Sequence, residues 1–166
     1  MFNEDKATRY HRLCRRADLA GTAVAGVVLL GLLVSGRAQW LRERAAVFGQ
    51  WGPGGLEEAA TVVALTVALV VLLQIVELPF AYYQGHLLEH RYGLSTQSTG
   101  HWMADQGKGF LVGIVLAAAA TSVVYLALRQ WPANWWWISA AIFALATVGL
   151  ARIAPGVLLA LFYKVG

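Results

Sequence analysis

Two histidines and a glutamate stand at a spacing that metal chemistry uses. His86-Leu87-Leu88-Glu89-His90 reads H-x-x-E-H, the inverted zinc-peptidase pattern. On a helix, residues i and i+4 share a face, so His86 and His90 could share a metal ion. A zinc centre wants a third protein ligand and an outer shell of hydrogen bonds, and neither is recognisable beside the pair. So short a match is easily met by chance, and the residues favour interfacial packing, with both imidazoles near water. The single cysteine, Cys14, excludes a disulfide framework and a multi-cysteine zinc site.

The other polar candidates gather around this pair, between Gln74 and Lys108. Glu77, Tyr83, Glu89, Arg91, Asp105 and Lys108 carry charge or a hydroxyl at or near membrane depth, where polar groups are functional candidates by default. Pro79 lacks a backbone donor, which predicts that the helix before it kinks or stops there. Residues 81–93 then read as a short surface helix closed by Gly93 in the left-handed conformation. Asp105 and Lys108 are i,i+3 partners, and Asp105 suits the positive end of a helix starting near it. The plain alternative for each of these residues is helix capping or interfacial anchoring.

The elements that must hold these groups are apolar. Of 166 residues, 58% are hydrophobic and 13% charged, against roughly 25% charged in a soluble domain. Disordered chains are rich in charge and poor in apolar groups, which excludes that class. Crossing about 30 Å of hydrocarbon takes about 20 helical residues. Four stretches qualify: 19–36, 59–80, 110–128, and 135–151 continuing towards 163 with Pro155 as a kink or break. Only helices satisfy their own backbone in lipid without closing a barrel. The fold class is therefore all-α, a polytopic bundle of four transmembrane helices. A cleaved signal peptide is disfavoured, because the first apolar run is too long and no small-x-small site follows.

Charge and tryptophan set the expected orientation. Residues 1–18 form a basic segment with Lys6, Arg9, Arg12, Arg15 and Arg16, read as a short helix on the cytoplasmic surface. With that end inside, nine of the 13 lysines and arginines fall on the cytoplasmic side. The positive-inside rule then places both termini in the cytoplasm. Trp40, Trp51, Trp131, Trp135, Trp136 and Trp137 all fall in or beside the first and third connections, as an outer aromatic belt would require. The bilayer is the expected partner. Nucleic acid is not, because no basic-aromatic module accompanies the net charge of +4.

Three ordered motifs resemble a known family. The runs Val76–Tyr83, Leu87–Leu94 and Trp102–Lys108 are similar to the signature of the type I CAAX prenyl proteases, integral-membrane zinc metallopeptidases. The end of the fourth span, Ile153-Ala154-Pro155 to Leu161-Phe162-Tyr163-Lys164, resembles that family's passage into its catalytic domain. The likeness covers roughly residues 60–166. His90 stands where the family has a second Glu, Ser95 where it has Asn, and Ala160 where a second Pro is usual. The family's H-E-x-x-H is missing, since none of His11, His86, His90 or His101 is followed by Glu.

The resemblance implies that residues 19–166 are the membrane domain of a longer protein, with a catalytic metallopeptidase domain expected after 166. Zinc belongs to that domain, and this chain carries no catalytic residue, cofactor or metal of its own. Its implied partners are the downstream domain and a peptide substrate, possibly prenylated. Its implied task is to anchor the catalytic domain and to form part of the substrate chamber. Glu77, Tyr83, Glu89, Arg91, Asp105 and Lys108 are expected to form an ionic and hydrogen-bond network there, with Pro79, Gly93 and Pro155 shaping the backbone. The competing class is a stand-alone, non-enzymatic membrane scaffold or transporter-like subunit.

Overall fold

Helices with apolar cores dominate the chain, as four lipid-length apolar runs require. The computed structural model describes the backbone of residues 2–52, 54–93 and 97–162, and the side chains of 8–52, 54–93 and 97–152. The order is α1 (Phe2–Val34), α2 (Arg37–Gly49), α3 (Glu57–Tyr82), a π-helical turn (Tyr83–Leu88), α4 (Glu89–Arg91), α5 (Thr99–Gln130) and α6 (Trp135–Phe162). Four helical stretches are long and apolar enough to cross a membrane: Thr8–Val34, Glu57–Arg91, Thr99–Gln130 and Trp135–Arg152. No strand occurs among the described residues.

The bundle is arranged around α3, which packs against α1, α2 and α5, while α6 packs on α5. Gly21 of α1 lies against the Phe80 ring near the end of α3, and Gly49 of α2 lies against Thr61 near its start. So α1 and then α2 run antiparallel to α3, with a break at Ser35-Gly36 where Gly36 is left-handed (φ 71°). The buried apolar residues are mostly small: Ala17, Ala25, Ala45 and Ala127. Long apolar side chains such as Leu30, Leu111, Val115 and Leu145 point outward. That inversion of a soluble core is physical. Lipid tails accept leucine as readily as a neighbouring helix does, so contact is won by small residues that let backbones approach.

Hydrogen bonds clip α3 to α5. Thr121 Oγ1 donates to Thr66 Oγ1 at 3.2 Å, and the Tyr125 hydroxyl donates to Glu58 Oε2 at 2.8 Å. Arg129 Nη1 reaches the Gly55 carbonyl at 3.1 Å, tying α5 to the turn before α3. In membranes such bonds average about 0.6 kcal/mol and reach about 1.7 kcal/mol.

Four expectations change. The basic segment 1–18 is not a separate surface helix, because α1 is continuous from Phe2 to Val34. No Gly or Pro precedes Gly21 to break it. The helix does not stop at Pro79: α3 passes through it, and helical backbone continues to Arg91. Proline is tolerated in membrane helices because local π adjustments re-satisfy the freed groups. Here the π turn follows at once, with the Tyr83 N–H shared between the carbonyls of Pro79 and Phe80. The third span begins at Thr99, well before its apolar run, capped by Ser98, whose hydroxyl accepts from the His101 N–H at 3.4 Å. Finally, the first connection contains a 13-residue helix, α2, folded along α3.

At the far end, α6 is helical through Pro155 to Phe162. The Pro155 side chain, Ser95, Tyr163 and Lys164 lie outside the described residues.

Candidate functional site

The polar end of the bundle is built where the π turn meets the start of α5. A helix of 35 residues, Glu57–Arg91, is about 52 Å long and outruns the roughly 30 Å hydrocarbon core. Its last turns therefore stand clear of the acyl chains, where polar side chains are tolerated. The π turn places His86 and Leu88 inward, 8% and 3% exposed. Trp102, 9% exposed, closes over them from α5. Gly85 permits that closure, since a Cβ there would stand 2.9 Å from Trp102 Nε1.

His86 is held by rings on three sides. Tyr82 stacks on it at 5.2 Å between centroids, His90 lies at 4.3 Å and Trp102 at 6.2 Å. Its Nε2 is 2.9 Å from Thr99 Oγ1, a bond that joins the π turn to the first residue of α5. Its Nδ1 is buried without a hydrogen-bond partner. His90 Nδ1 lies 2.8 Å from the His86 carbonyl oxygen. A carbonyl only accepts, so His90 carries its proton on Nδ1. Each imidazole has thus committed one ring nitrogen to a protein contact.

The zinc that the resemblance implies finds no centre here. Among the described residues, no group of three or more His, Cys, Asp or Glu could hold a metal ion. The H-x-x-E-H spacing brings two rings together and stops there. Glu89 lies elsewhere, lining a cleft of about 290 Å³ with Tyr10, Cys14, Gln84, Trp102 and Gln106.

Asp105 is the best-connected carboxylate. Lys108 Nζ donates to Asp105 Oδ1 at 3.1 Å, and Gln97 Nε2 donates to Oδ2 at 2.8 Å. The pair is still 41% and 30% exposed at Lys108 and Asp105, which keeps its worth below about 1 kcal/mol. Asp105 does not sit at the helix's positive end. With α5 starting at Thr99, it falls in the second turn and bonds to side chains instead.

The lower half of α1 docks on this end. Tyr10 meets the edge of Tyr92 at 5.4 Å, and Asp18 Oδ1 accepts from Gln84 Nε2 at 2.9 Å. Glu77 is exposed and borders a cleft of about 250 Å³ with Asp18, Phe80 and Gln84. Tyr83 opens the π turn and is 39% exposed. Arg91 ends α4, and Gly93 follows in the left-handed conformation at φ 70°, its N–H on the His90 carbonyl.

Of the predicted network, the structure joins Asp105 to Lys108. Glu77, Tyr83, Glu89 and Arg91 share the same end of the bundle, and none of the four makes a hydrogen bond or ion pair among the described residues. Sequence reasoning missed Thr99, Tyr82, Gln84 and Asp18 as participants. One signal was available, because Ser98-Thr99 is a helix-start dipeptide. The tertiary pairings have no local signature.

The comparisons with known proteins give one match. A family model, CAAX prenyl protease N-terminal with five membrane helices, matches residues 3–164. No curated protein matches, and no solved structure matches.

Proposed function

Since this chain belongs to the CAAX prenyl protease N-terminal family, we propose that it is the membrane half of a zinc metalloendopeptidase, with its chemistry supplied by a downstream catalytic domain. It anchors that domain, forms part of the wall of the substrate chamber, and leads a peptide substrate, possibly prenylated, to a cytoplasmic-side site. In the resemblance, zinc lies in the downstream domain and activates the water that attacks the peptide carbonyl.

The observation that carries the reading is the cluster of polar side chains where the π turn meets α5, in a chain that belongs to a protease membrane-domain family. Asp105, Lys108 and Gln97 are linked there, and Glu77, Tyr83, Glu89 and Arg91 stand at the same end with no hydrogen bond or ion pair among the described residues. Unpartnered charge at a bundle end suits a docking face, because a partner domain can complete its hydrogen bonds. Glu77, Tyr83 and Arg91 are exposed, and half-buried Glu89 lines a cleft beside them.

The test uses the full-length protein with its catalytic domain. Asp105→Asn and a Glu89→Gln/Arg91→Gln pair are expected to lower proteolysis by roughly ten- to a hundredfold, the scale of a misplaced active site. Bound zinc and helical content should be unchanged. Unchanged proteolysis in both variants would overturn the assignment.

A further inference from the structure

At the other end of α1 lies a feature that the docking reading does not use. A groove of about 320 Å³ runs between α1, α2 and α3, walled by Leu32, Ala68, Leu72 and Ile75, with Arg37 and Trp40 beside them. Ala68, Leu72 and Ile75 follow the i, i+4, i+7 pattern, so they form one stripe along roughly 10 Å of α3. Ile75 is 64% exposed and Trp40 56% exposed, so the rest of the chain leaves this stripe uncovered. The apolar run of α1 ends at Gly36, and Arg37 is the first charge after it.

The same face of α2 carries the charge. Arg37, Trp40 and Arg44 fall at i, i+3 and i+7, and the Arg44 guanidinium lies 5.4 Å from the centre of the Trp40 ring. Neither Arg37 nor Arg44 has an acidic partner within ion-pair distance among the described residues. Arg42, in contrast, faces a separate cleft with Glu43, Glu58 and Tyr125.

We propose that this groove binds one anionic phospholipid, its phosphate on Arg37 and Arg44 and an acyl chain along Ala68, Leu72 and Ile75. The occupant follows from the surroundings. A groove along a membrane-crossing helix is filled from the bilayer, so its apolar walls take an acyl chain. The two arginines then select an anionic headgroup, because guanidinium grips phosphate oxygens in a two-pronged fork and repels a headgroup that carries its own choline cation. Trp40 lies between the apolar walls and the Arg44 guanidinium, where an indole can bridge an acyl chain and a headgroup. The site is independent of proteolysis and needs nothing from the polar end.

Native mass spectrometry of the purified chain in detergent tests it, with phosphatidylglycerol and phosphatidylcholine of identical acyl chains as probes. The wild type is expected to retain one phosphatidylglycerol with a preference of roughly 30-fold, from two arginines near a phosphate. Arg37→Gln/Arg44→Gln should bring the preference close to one, while Arg42→Gln keeps it. Ala68→Phe should expel both lipids without loss of helical circular dichroism. Equal retention of the two lipids by the wild type overturns the proposal, as does a preference that survives Arg37→Gln/Arg44→Gln. A lipid-free dimer, with a second copy on the groove, overturns it too. A second readout leaves the arginines and groove walls intact. Bromine-labelled phosphatidylglycerol should quench tryptophan emission at low lipid fraction, and Trp40→Phe should remove that component. Quenching unchanged by Trp40→Phe would contradict the site.

Discussion

Trp102 carries more of the polar end's stability than any charged group there. It is buried over His86 and Leu88, edge-on to Tyr82 at 5.5 Å, and it closes against Gly85. Trp102→Ala should therefore cost about 3–5 kcal/mol, the usual price of an emptied aromatic site, measured by denaturant unfolding in detergent. Asp105→Asn should cost less than about 1 kcal/mol in the same measurement, because its pairing with Lys108 is partly exposed. A large stability loss at Asp105 would mean that its role is structural. His86 and His90 lead to a third expectation. One ring nitrogen of each is engaged, by Thr99 and by the His86 carbonyl, and no third ligand joins them among the described residues, so chelation with EDTA should leave the chain's helicity and melting temperature unchanged. A drop in melting temperature would reinstate the histidine pair as a metal site. At this scale the motif residues were legible one by one. Their partners were not, because Thr99 lies 13 positions from His86 and Gln84 lies 66 from Asp18.

The elements follow from apolar run length, and their ends do not. Three of the four runs lie inside a helix, and the first, 19–36, overruns α1 only by Ser35 and Gly36, because backbone groups in lipid have no other partner. The ends depend on polar residues that could be helix or loop. Thr99–Gly109 has three glycines and reads as a connection, yet it forms the first turns of α5, with Ser98 as cap and packing on the π turn. Likewise Pro79 alone argues for a stop, yet α3 runs through it into the π turn, where the Tyr83 N–H is shared between the carbonyls of Pro79 and Phe80. The α3–α5 contact offers a measurement. A double-mutant cycle on Thr66→Val and Thr121→Val should give a coupling of about 0.6 kcal/mol and no more than about 1.7 kcal/mol. A coupling near zero would show that small-residue packing alone holds these helices.

The whole molecule is an integral, multi-pass membrane domain, and we propose from its lysine and arginine placement that both termini face the cytoplasm. In a Cys14→Ser background, Gly54→Cys should react with an impermeant maleimide on intact cells, and Arg91→Cys only after permeabilisation. The reverse pattern would invert the topology and move the polar end away from the cytoplasm. The central proposal is larger: that this bundle serves a zinc peptidase domain joined to it. It rests on the family match, which runs from residue 3 to 164. The most direct measurement is the sequence of the coding region beyond codon 166. The account predicts an open frame encoding H-E-x-x-H within the next couple of hundred codons. A stop codon there, with no such motif, would contradict it and leave a stand-alone membrane scaffold.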